Sequence, residues 1–456
     1  LLAYSGVSYD EGTPSETSDA MTVSDGEFRF SGSERNLAAF ASGASYELSI
    51  GYPPEGQVCS VENAAGTIGR SDITDIRILC TSSPERSILS FDGALAGSYP
   101  DAGLNFGPEG YAYGVTTYGG VYGLGTLYRY DLSNAHQVVI HNFVGAPTDG
   151  AKPASGLTLA CDGSFYATTT SGGEYNGGTF LKFTPDGEVT ILHSFGGGSD
   201  GALPQGHTID TKDCPNPEPR FYGTTTNGGA YGAGSIYTIT SLGEEVVLHS
   251  FGGEPGGGVY PVAGLSRSAD EVADDAFYGT TYQGGEYSLG TFFRIARDGT
   301  LATLHSFGGG QDGALPSTKL RAREDGSFYG TTKEGGDYGR GSVFRVVPDG
   351  LESVIYSFGA TGKYDGKAPS SRVRFREDGS LFGVTYEGGY YGNGTLYMVS
   401  SAGEGRVLYS FSGGRDGRLP NSSLLIDESG FIYGTTTGGG EYQNGTLFRM
   451  DIGVLD

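Results

Sequence analysis

The sequence lacks several features that define common classes of protein. It has 28 Lys and Arg residues against 53 Asp and Glu, a formal net charge of −25. This argues against nucleic acid and anionic membrane surfaces as partners, because phosphate binding depends on Lys and Arg. The chain has no apolar run of about 18 residues, so we expect no membrane-spanning segment. It begins with Leu1 and not with Met, which favours a processed or incompletely recorded N-terminus.

Cysteine is also scarce, and collagen-like order is missing. Only 4 of 456 residues are Cys, and no two have CxxC spacing, so we expect no zinc site. Gly is abundant, with 82 residues, but without a Gly-X-Y period. The 31 Tyr and 24 Phe residues distinguish the chain from a disordered glycine-rich linker. Together these features favour many short strands joined by tight turns.

One motif, of the form YGTTxxGGxYGxGTLF, recurs seven times at intervals of 51 to 56 residues. Such a period indicates a solenoid or a propeller. A single phosphate-binding loop would not recur in this way, so the glycines are expected to serve turns and close packing. The copies begin at Tyr113, Tyr166, Tyr222, Tyr278, Tyr329, Phe382 and Tyr433.

The pattern within one period predicts four antiparallel strands, the composition of a propeller blade. The last copy stops after its third strand, while SILSF at residues 87–91 precedes the first complete unit. We therefore predict an all-β fold in which residues 84–456 form a seven-bladed β-propeller, closed by residues 87–91 pairing with 446–450. The alternative is an open solenoid, which would leave sheet edges exposed.

The repeated YGTT…GG…GTLFR…LHSF unit resembles the GloVer tandem repeats of secreted and surface-anchored bacterial proteins. The resemblance covers about residues 86–451. It implies an extracellular propeller and no defined catalytic residues. Residues 1–83 lack the repeat, and ASGASYELSIGYPPEGQVCSVENAAGTIG resembles the Ig-like or transthyretin-like β-sandwich modules that often precede such repeats.

The four cysteines fit this organisation as two pairs. Cys59 and Cys80 are placed to bridge two strands of the predicted sandwich, and Cys161 and Cys214 lie on the first hairpins of consecutive blades. Two such disulfides fit an oxidising compartment. The alternative is buried free thiols in a cytosolic protein.

Sandwich modules of this type usually begin one strand earlier than LLAYSGV does. Either the missing strand lies upstream, or a neighbouring subunit donates it into a groove beside Leu1 and Leu2. The segment IGVL is a candidate donor through Ile452, Val454 and Leu455. A head-to-tail contact of this kind need not close, so a filament would grow.

One face of the predicted propeller carries the loops between second and third strands and those between blades. We predict that its tyrosines bind carbohydrate, because Tyr offers a flat stacking surface and a hydroxyl. Aspartates at residues 149, 200, 312, 365 and 416 and acids at residues 174, 286, 337 and 441 lie nearby. The alternative is that each Tyr packs on its own blade and each Asp caps a turn. The tyrosines are Tyr122, Tyr175, Tyr231, Tyr287, Tyr338, Tyr391 and Tyr442.

Signals for catalysis are weak. His141, His193, His249 and His305 occupy one repeat position, which indicates packing. We predict no cofactor, no metal and no enzymatic activity, and we expect an extracellular structural protein that assembles with itself. The alternatives are a carbohydrate-binding propeller and a polysaccharide-active enzyme. Sequons at Asn393, Asn421 and Asn444 predict glycosylation, with the Thr-rich strands as alternative O-linked sites.

Overall fold

The protein is described by a computed structural model in which the chain divides into two compact units, Leu1–Glu85 and Arg86–Asp456. The structure describes residues 2–4, 20–21, 45–50, 57–63, 65–67, 77–82, 85–107, 110–153, 155–196, 198–204, 209–210, 219–268 and 275–451.

In the N-terminal unit, Leu2–Tyr4 pairs with Ala20–Met21 on one side and with Ser45–Ile50 on the other. The edge at which we predicted a donated strand is therefore already occupied by the chain itself. Ala65–Thr67 extends this sheet on the far side of Ser45–Ile50. A separate antiparallel pair joins Gln57–Glu62 to Arg77–Ser82. The sandwich arrangement of these strands stays a prediction.

The second unit confirms the predicted all-β, seven-bladed propeller. Each blade is an antiparallel sheet that runs from an inner strand through second and third strands to an outer strand. In the seventh blade, the outer strand Glu85–Ser90 comes from upstream of the array and lies beside Thr446–Asp451. The backbone amide of Phe91 also donates to the carbonyl oxygen of Gly445 at 3.1 Å. The sequence predicts this seam between residues 87–91 and 446–450.

The second and third strands form the body of each blade. The second strands are Tyr111–Thr116, Phe165–Gly172, Arg220–Asn227, Phe277–Thr281 with the short Gln283–Gly284, Phe328–Glu334, Leu381–Gly388 and Phe431–Gly438. The third strands are Thr126–Asp131, Thr179–Phe183, Ser235–Thr240, Thr291–Ile295, Ser342–Val346, Thr395–Val399 and Thr446–Asp451. The outer strands of blades 1 to 6 are His136–Asn142, Val189–Ser194, Glu245–Ser250, Leu301–Ser306, Glu352–Ser357 and Gly405–Ser410.

The inner strand differs from the sequence prediction, because it is broken into two short segments. The first segments of blades 2 to 7 are Gly150–Pro153, Ala202–Pro204, Gly258–Val259, Ala314–Pro316, Gly366–Pro369 and Arg418–Pro420, and a single bridge from Ser98 to Tyr118 takes this place in blade 1. The second segments of blades 1 to 7 are Asn105–Phe106, Thr158–Leu159, Ile209–Asp210, Ser266–Arg267, Arg321–Ala322, Arg374–Phe375 and Leu425–Ile426.

The break has a local cause that recurs in every blade. The residue before each inner-strand proline adopts a left-handed backbone conformation, with φ between 53° and 57°. This conformation is costly for a residue with a side chain. Its backbone amide donates to a carbonyl oxygen in the preceding blade at 2.7–3.0 Å, which offsets part of that cost. The residues are Tyr99, Lys152, Leu203, Tyr260, Leu315, Ala368 and Leu419.

The last glycine of each GGxYGxG loop packs against that proline of the next blade. A Cβ atom at this glycine would lie 2.5–2.8 Å from the proline Cδ, closer than real contacts allow. The same glycine also has positive φ, between 95° and 107°. The glycines of the motif therefore close the space between blades, as the sequence predicts. The pairs are Gly125–Pro153, Gly178–Pro204, Gly234–Pro261, Gly290–Pro316, Gly341–Pro369, Gly394–Pro420 and Gly445–Pro100.

The cores lie between neighbouring blades. Each outer strand is followed by a phenylalanine that is no more than 2% exposed, at residues 91, 143, 195, 251, 307, 358 and 411. Burying one such ring contributes roughly 1.5–3 kcal/mol. In every blade two hydroxyl side chains of the second and third strands also meet at 2.8–2.9 Å. The recurring threonines are thus buried and hydrogen-bonded, and in the folded protein they are inaccessible to O-linked sugars.

Candidate functional site

The predicted tyrosines lie on one face of the propeller, here called the tyrosine face. Six of the seven expose between 52% and 64% of their surface. The seventh, Tyr391, is half-buried and packs edge-on against Tyr390, with ring centroids 5.1 Å apart. The exposed rings belong to Tyr122, Tyr175, Tyr231, Tyr287, Tyr338 and Tyr442.

These rings are held in place by glycines of the loop that follows the buried phenylalanine. A Cβ at Gly253 would lie 2.4 Å from the ring of Tyr231, and one at Gly359 would lie 2.6 Å from the Cβ of Tyr338. The loop backbone therefore covers one side of these tyrosines and leaves the other side open. Exposed acids stand beside some of them, and the Glu174 carboxylate raises the pKa of Tyr175. The face thus presents flat apolar surfaces beside hydrogen-bond acceptors.

The aspartates of the loops between blades behave as the structural alternative predicts. Each accepts a hydrogen bond from the backbone amide that follows the buried phenylalanine, at 2.5–2.9 Å. Each also contacts an aromatic side chain of the preceding outer strand. His141 and His305 lie 2.9 Å from their aspartates and His193 lies 3.5 Å away. The aspartates, which therefore fix the loops, are Asp149, Asp200, Asp312, Asp365 and Asp416.

A third residue lies beside each pair of aspartate and outer-strand aromatic residue, and its type differs from one blade interface to another. At the interface of blades 4 and 5, the first residue of the outer strand of blade 5 is Glu352. Ligand atoms of His305, Asp312 and Glu352 all lie within 4.8 Å of one another. Glu245 takes the same position beside His193 and Asp200. The set of one imidazole and two carboxylates can share a proton or accept a divalent cation.

Both glutamates have raised pKa values. Burial and the nearby Asp312 carboxylate raise the pKa of Glu352 to about 8. Burial and Asp200 raise the pKa of Glu245 to about 7. In each glutamate the Oε1 atom is buried without a hydrogen-bond partner. These are the most strongly perturbed carboxyl groups near the tyrosine face in the described part of the chain.

The interface of blades 5 and 6 has different chemistry on the same backbone. Tyr356 replaces the histidine, and its hydroxyl lies 2.5 Å from Asp365. The third residue is Gly405, where a Cβ would lie 2.2 Å from the Tyr356 ring. The larger ring therefore fills the space that Glu352 occupies one interface earlier. An open cavity of about 430 Å³ beside it is lined in part by Tyr338, Tyr356 and Gly405.

Sequence reasoning missed a second feature, a group of cations on the innermost strands of blades 5 and 6. Burial lowers the pKa values of Lys319, Arg321, Arg372 and Arg374. The charge of Arg321 lowers those of the other three further, which places these groups close together. The signal was available as TKLRA and SRVRF, two basic-apolar-basic patterns in an acidic chain.

Several predicted sites stay untested. Cys161 is disulfide-bonded, but its predicted partner Cys214 lies outside the described residues. Cys59 and Cys80 stand directly opposite each other in their strand pair. Leu2 begins a described strand, whereas Leu1, Ile452, Val454 and Leu455 lie outside the described residues.

The sequons fall on structured loops. The side-chain amide of Asn393 donates to the carbonyl oxygen of Ser412 at 2.9 Å, so glycosylation there would have to release this bond. Asn421 and Asn444 are half-buried. Glycosylation at the three sites stays a prediction.

The sequence matches the profile of the Gloeobacter/Verrucomicrobia repeat over residues 60–216, 215–362 and 322–454. The chain therefore belongs to this family, which confirms the predicted resemblance. No curated relative matches the chain in sequence. None of the described segments forms a helix long and apolar enough to span a membrane.

Several solved structures are similar to this chain at low sequence identity. The extracellular domain of the hybrid two-component system BT3049 from B. thetaiotaomicron is 10% identical, with a TM-score of 0.50 over 86% of this chain and 44% of its own. The chain thus spans less than half of that relative. A puromycin-hydrolyzing peptidase of Mycobacterium tuberculosis is 12% identical, with a TM-score of 0.49 over 81% of this chain and 55% of its own. An oligogalacturonate lyase of Vibrio parahaemolyticus is 10% identical, with a TM-score of 0.44 over 90% of this chain and 99% of its own.

Proposed function

We propose that this protein is a non-enzymatic, extracellular structural propeller that holds carbohydrate on its tyrosine face. The observation that carries the proposal is the set of six exposed tyrosines in one repeat position, each more than half exposed. Rings repeated around one face can stack on several sugar residues of an extended chain at once. Such multipoint contact suits adhesion to a polysaccharide better than the enclosed pocket of an enzyme.

The blade interfaces support a non-enzymatic role. The histidine–aspartate contact recurs at more than one interface, and the aspartates are engaged in loop closure. A catalytic centre requires an arrangement that stands apart from the repeat, with groups free to act on a substrate. An extracellular location agrees with the disulfide at Cys161, because disulfides persist in oxidising compartments.

A glycan array followed by titration of a bound oligosaccharide tests the proposal. We expect the variant with Tyr175, Tyr231 and Tyr287 all changed to Ala to lose at least 10-fold in affinity, since each stacked ring contributes to the same chain. The matched control is Leu351→Ala, which removes an exposed apolar side chain (73% exposed) from a turn at the opposite face. Equal affinity of the triple variant and the wild type would reject the tyrosine face as the binding surface.

A second candidate is self-assembly by strand addition. It is favoured by the pair Gln57–Glu62 and Arg77–Ser82, which forms a sheet of two strands within the described residues. Two-stranded sheets are marginally stable on their own, and a strand from a neighbouring copy would add hydrogen bonds to an edge that has no partner among the described residues. The segment from Ile452 to Leu455 is the proposed donor. Negative-stain microscopy and light scattering should show filaments for the full chain and monomers for a chain that ends at Asp451; monomers in both would reject this candidate.

A further inference from the structure

The cations of blades 5 and 6 stand where the other described blades have small or neutral side chains. Lys319 and Arg372 lie in the break between the two inner-strand segments of their blades, and Arg321 and Arg374 begin the second segment two residues later. The first position is Gly103, Gly156, Gly264 and Ser423 in blades 1, 2, 4 and 7. The second is Asn105, Thr158, Ser266 and Leu425 in the same blades. The positive charge is therefore confined to two adjacent blades of the ring.

The intervening residues show how these side chains are oriented. Leu320 and Val373 are buried in the cores between blades. The cations on either side of these two residues are less buried, so we infer that their side chains lie away from the cores. Arg374 Nε donates to the carbonyl oxygen of Leu424 in blade 7 at 2.7 Å. All four cations remain partly exposed. Because they lie at the innermost strands, we infer that this exposed surface borders the central channel.

No carboxylate of the described residues compensates this charge. The groups that act on Lys319 are Arg372, Arg374 and Arg321, and together with burial they hold its pKa well below the usual range. Burial and the neighbouring arginines likewise lower the pKa of Arg372, whose Nε is buried without a hydrogen-bond partner. Positive charges that lie close together, with hydrogen-bond donors that have no partner, destabilise the fold unless an anion binds between them.

We propose that Lys319, Arg321, Arg372 and Arg374 form a channel site for an oxyanion group, such as the sulfate, phosphate or carboxylate of an acidic saccharide. Guanidinium groups suit this ligand because their fixed donors match the geometry of oxyanions. The site is separate from the tyrosine face, so loss of carbohydrate binding in the tyrosine variants would not affect it.

The test is calorimetric titration of the full chain with sodium sulfate at constant ionic strength, with sodium chloride as reference. We expect sulfate to bind, and the variant R372S/R374T, which carries residues found in blades 7 and 2, to bind at least 10-fold more weakly. The control Arg415→Gln removes one exposed charge from the loop before blade 7 and should keep wild-type affinity. Equal affinity of R372S/R374T and wild type would overturn the proposal.

Two further measurements keep the test decisive if that variant fails to fold. Lys319→Ser leaves the Arg374–Leu424 hydrogen bond intact and should also weaken sulfate binding. Arg321→Ser, which carries the residue found in blade 4, should weaken it too; unchanged sulfate affinity in both Lys319→Ser and Arg321→Ser would overturn the site. A sulfated oligosaccharide that binds more tightly than sulfate supports a saccharide ligand, and equal or weaker binding supports a free anion.

Discussion

The interface between blades 4 and 5 and the interface between blades 5 and 6 have the same backbone but different side chains. Both close through a glycine–proline contact, Gly290–Pro316 in the first and Gly341–Pro369 in the second. The first then places Glu352 against an aspartate and a histidine, whereas the second places Gly405 against a tyrosine. The glycine–proline contact that joins neighbouring blades is thus the same whether an acidic group or a tyrosine lies beside it. Within this chain, fold and local reactivity are set by different positions of the repeat.

The largest effect on stability is expected from changes to the glycine–proline contact that the two interfaces share. Gly341→Ala would bring a Cβ to 2.4 Å from the carbonyl oxygen of Thr332 and 2.7 Å from Pro369, at φ 95°. Left-handed strain and overpacking together should lower the free energy of unfolding by about 3 kcal/mol. Gly290→Ala should cost a similar amount, and urea denaturation measures both.

The matched control for these variants lies in the same loop. Gly339 has φ 67° but nothing within 4 Å of an added Cβ, so Gly339→Ala should cost only about 1 kcal/mol of backbone strain. Equal losses for Gly339→Ala and Gly341→Ala would show that the proline contact contributes nothing.

An intermediate effect is expected where the interfaces differ. Gly405→Glu should destabilise the protein by about 1–3 kcal/mol, because the new side chain overlaps the Tyr356 ring. Adding Tyr356→His should restore most of the loss by recreating the arrangement of blades 4 and 5. A double-mutant cycle measures this coupling, which should exceed about 1 kcal/mol. Strict additivity of the two changes would contradict the view that these positions form one unit.

The smallest effect concerns pH. Glu352 has a folded pKa of about 8 against a usual value of 4.5, so the folded state holds its proton between these values. The stability that this group contributes is full below pH 4.5 and is lost as pH rises through about 8. Glu352→Gln should therefore match wild type at pH 4.5 and exceed it by roughly 1–2 kcal/mol at pH 9, after allowance for partial exposure.

Thermal and urea unfolding across this pH range measure the difference. The exposed Glu404→Gln serves as control and should show the same profile as wild type. Zinc added to the wild type tests whether His305, Asp312 and Glu352 bind a cation instead. A bound cation would stabilise the wild type at pH 8, and Glu352→Gln would abolish this stabilisation.

Much of the fold could be predicted because the strands and turns of each blade have recognisable local sequence patterns. Recurring Asp-Gly turns, alternating strands and the final Phe of each outer strand define the blade. The broken inner strand was missed because left-handed residues such as Leu315 and Ala368 carry no sequence signature of φ. Only the contact of their amides with the preceding blade explains the break.

The candidate sites were harder to predict, because their residues are distant in sequence. Asp312 and Glu352 are 40 positions apart and belong to different loops and strands, and no local motif joins them. Alignment of the repeats by column would have shown glutamate at only some interfaces. The same comparison would have found Lys319 and Arg372 as exceptions among glycine and serine. Only the structure shows which tyrosines are exposed, because the half-buried Tyr391 has the same position in the repeat as the six exposed ones.

The outer strand of blade 7 begins at the last residue of the N-terminal unit, since that unit is Leu1–Glu85 and the strand is Glu85–Ser90. Any mechanical tension applied through the N-terminal unit therefore enters the ring at its seam. Glu85–Ser90 lies beside Thr446–Asp451 in that blade, so such tension would load the contact that joins the start of the propeller to its end.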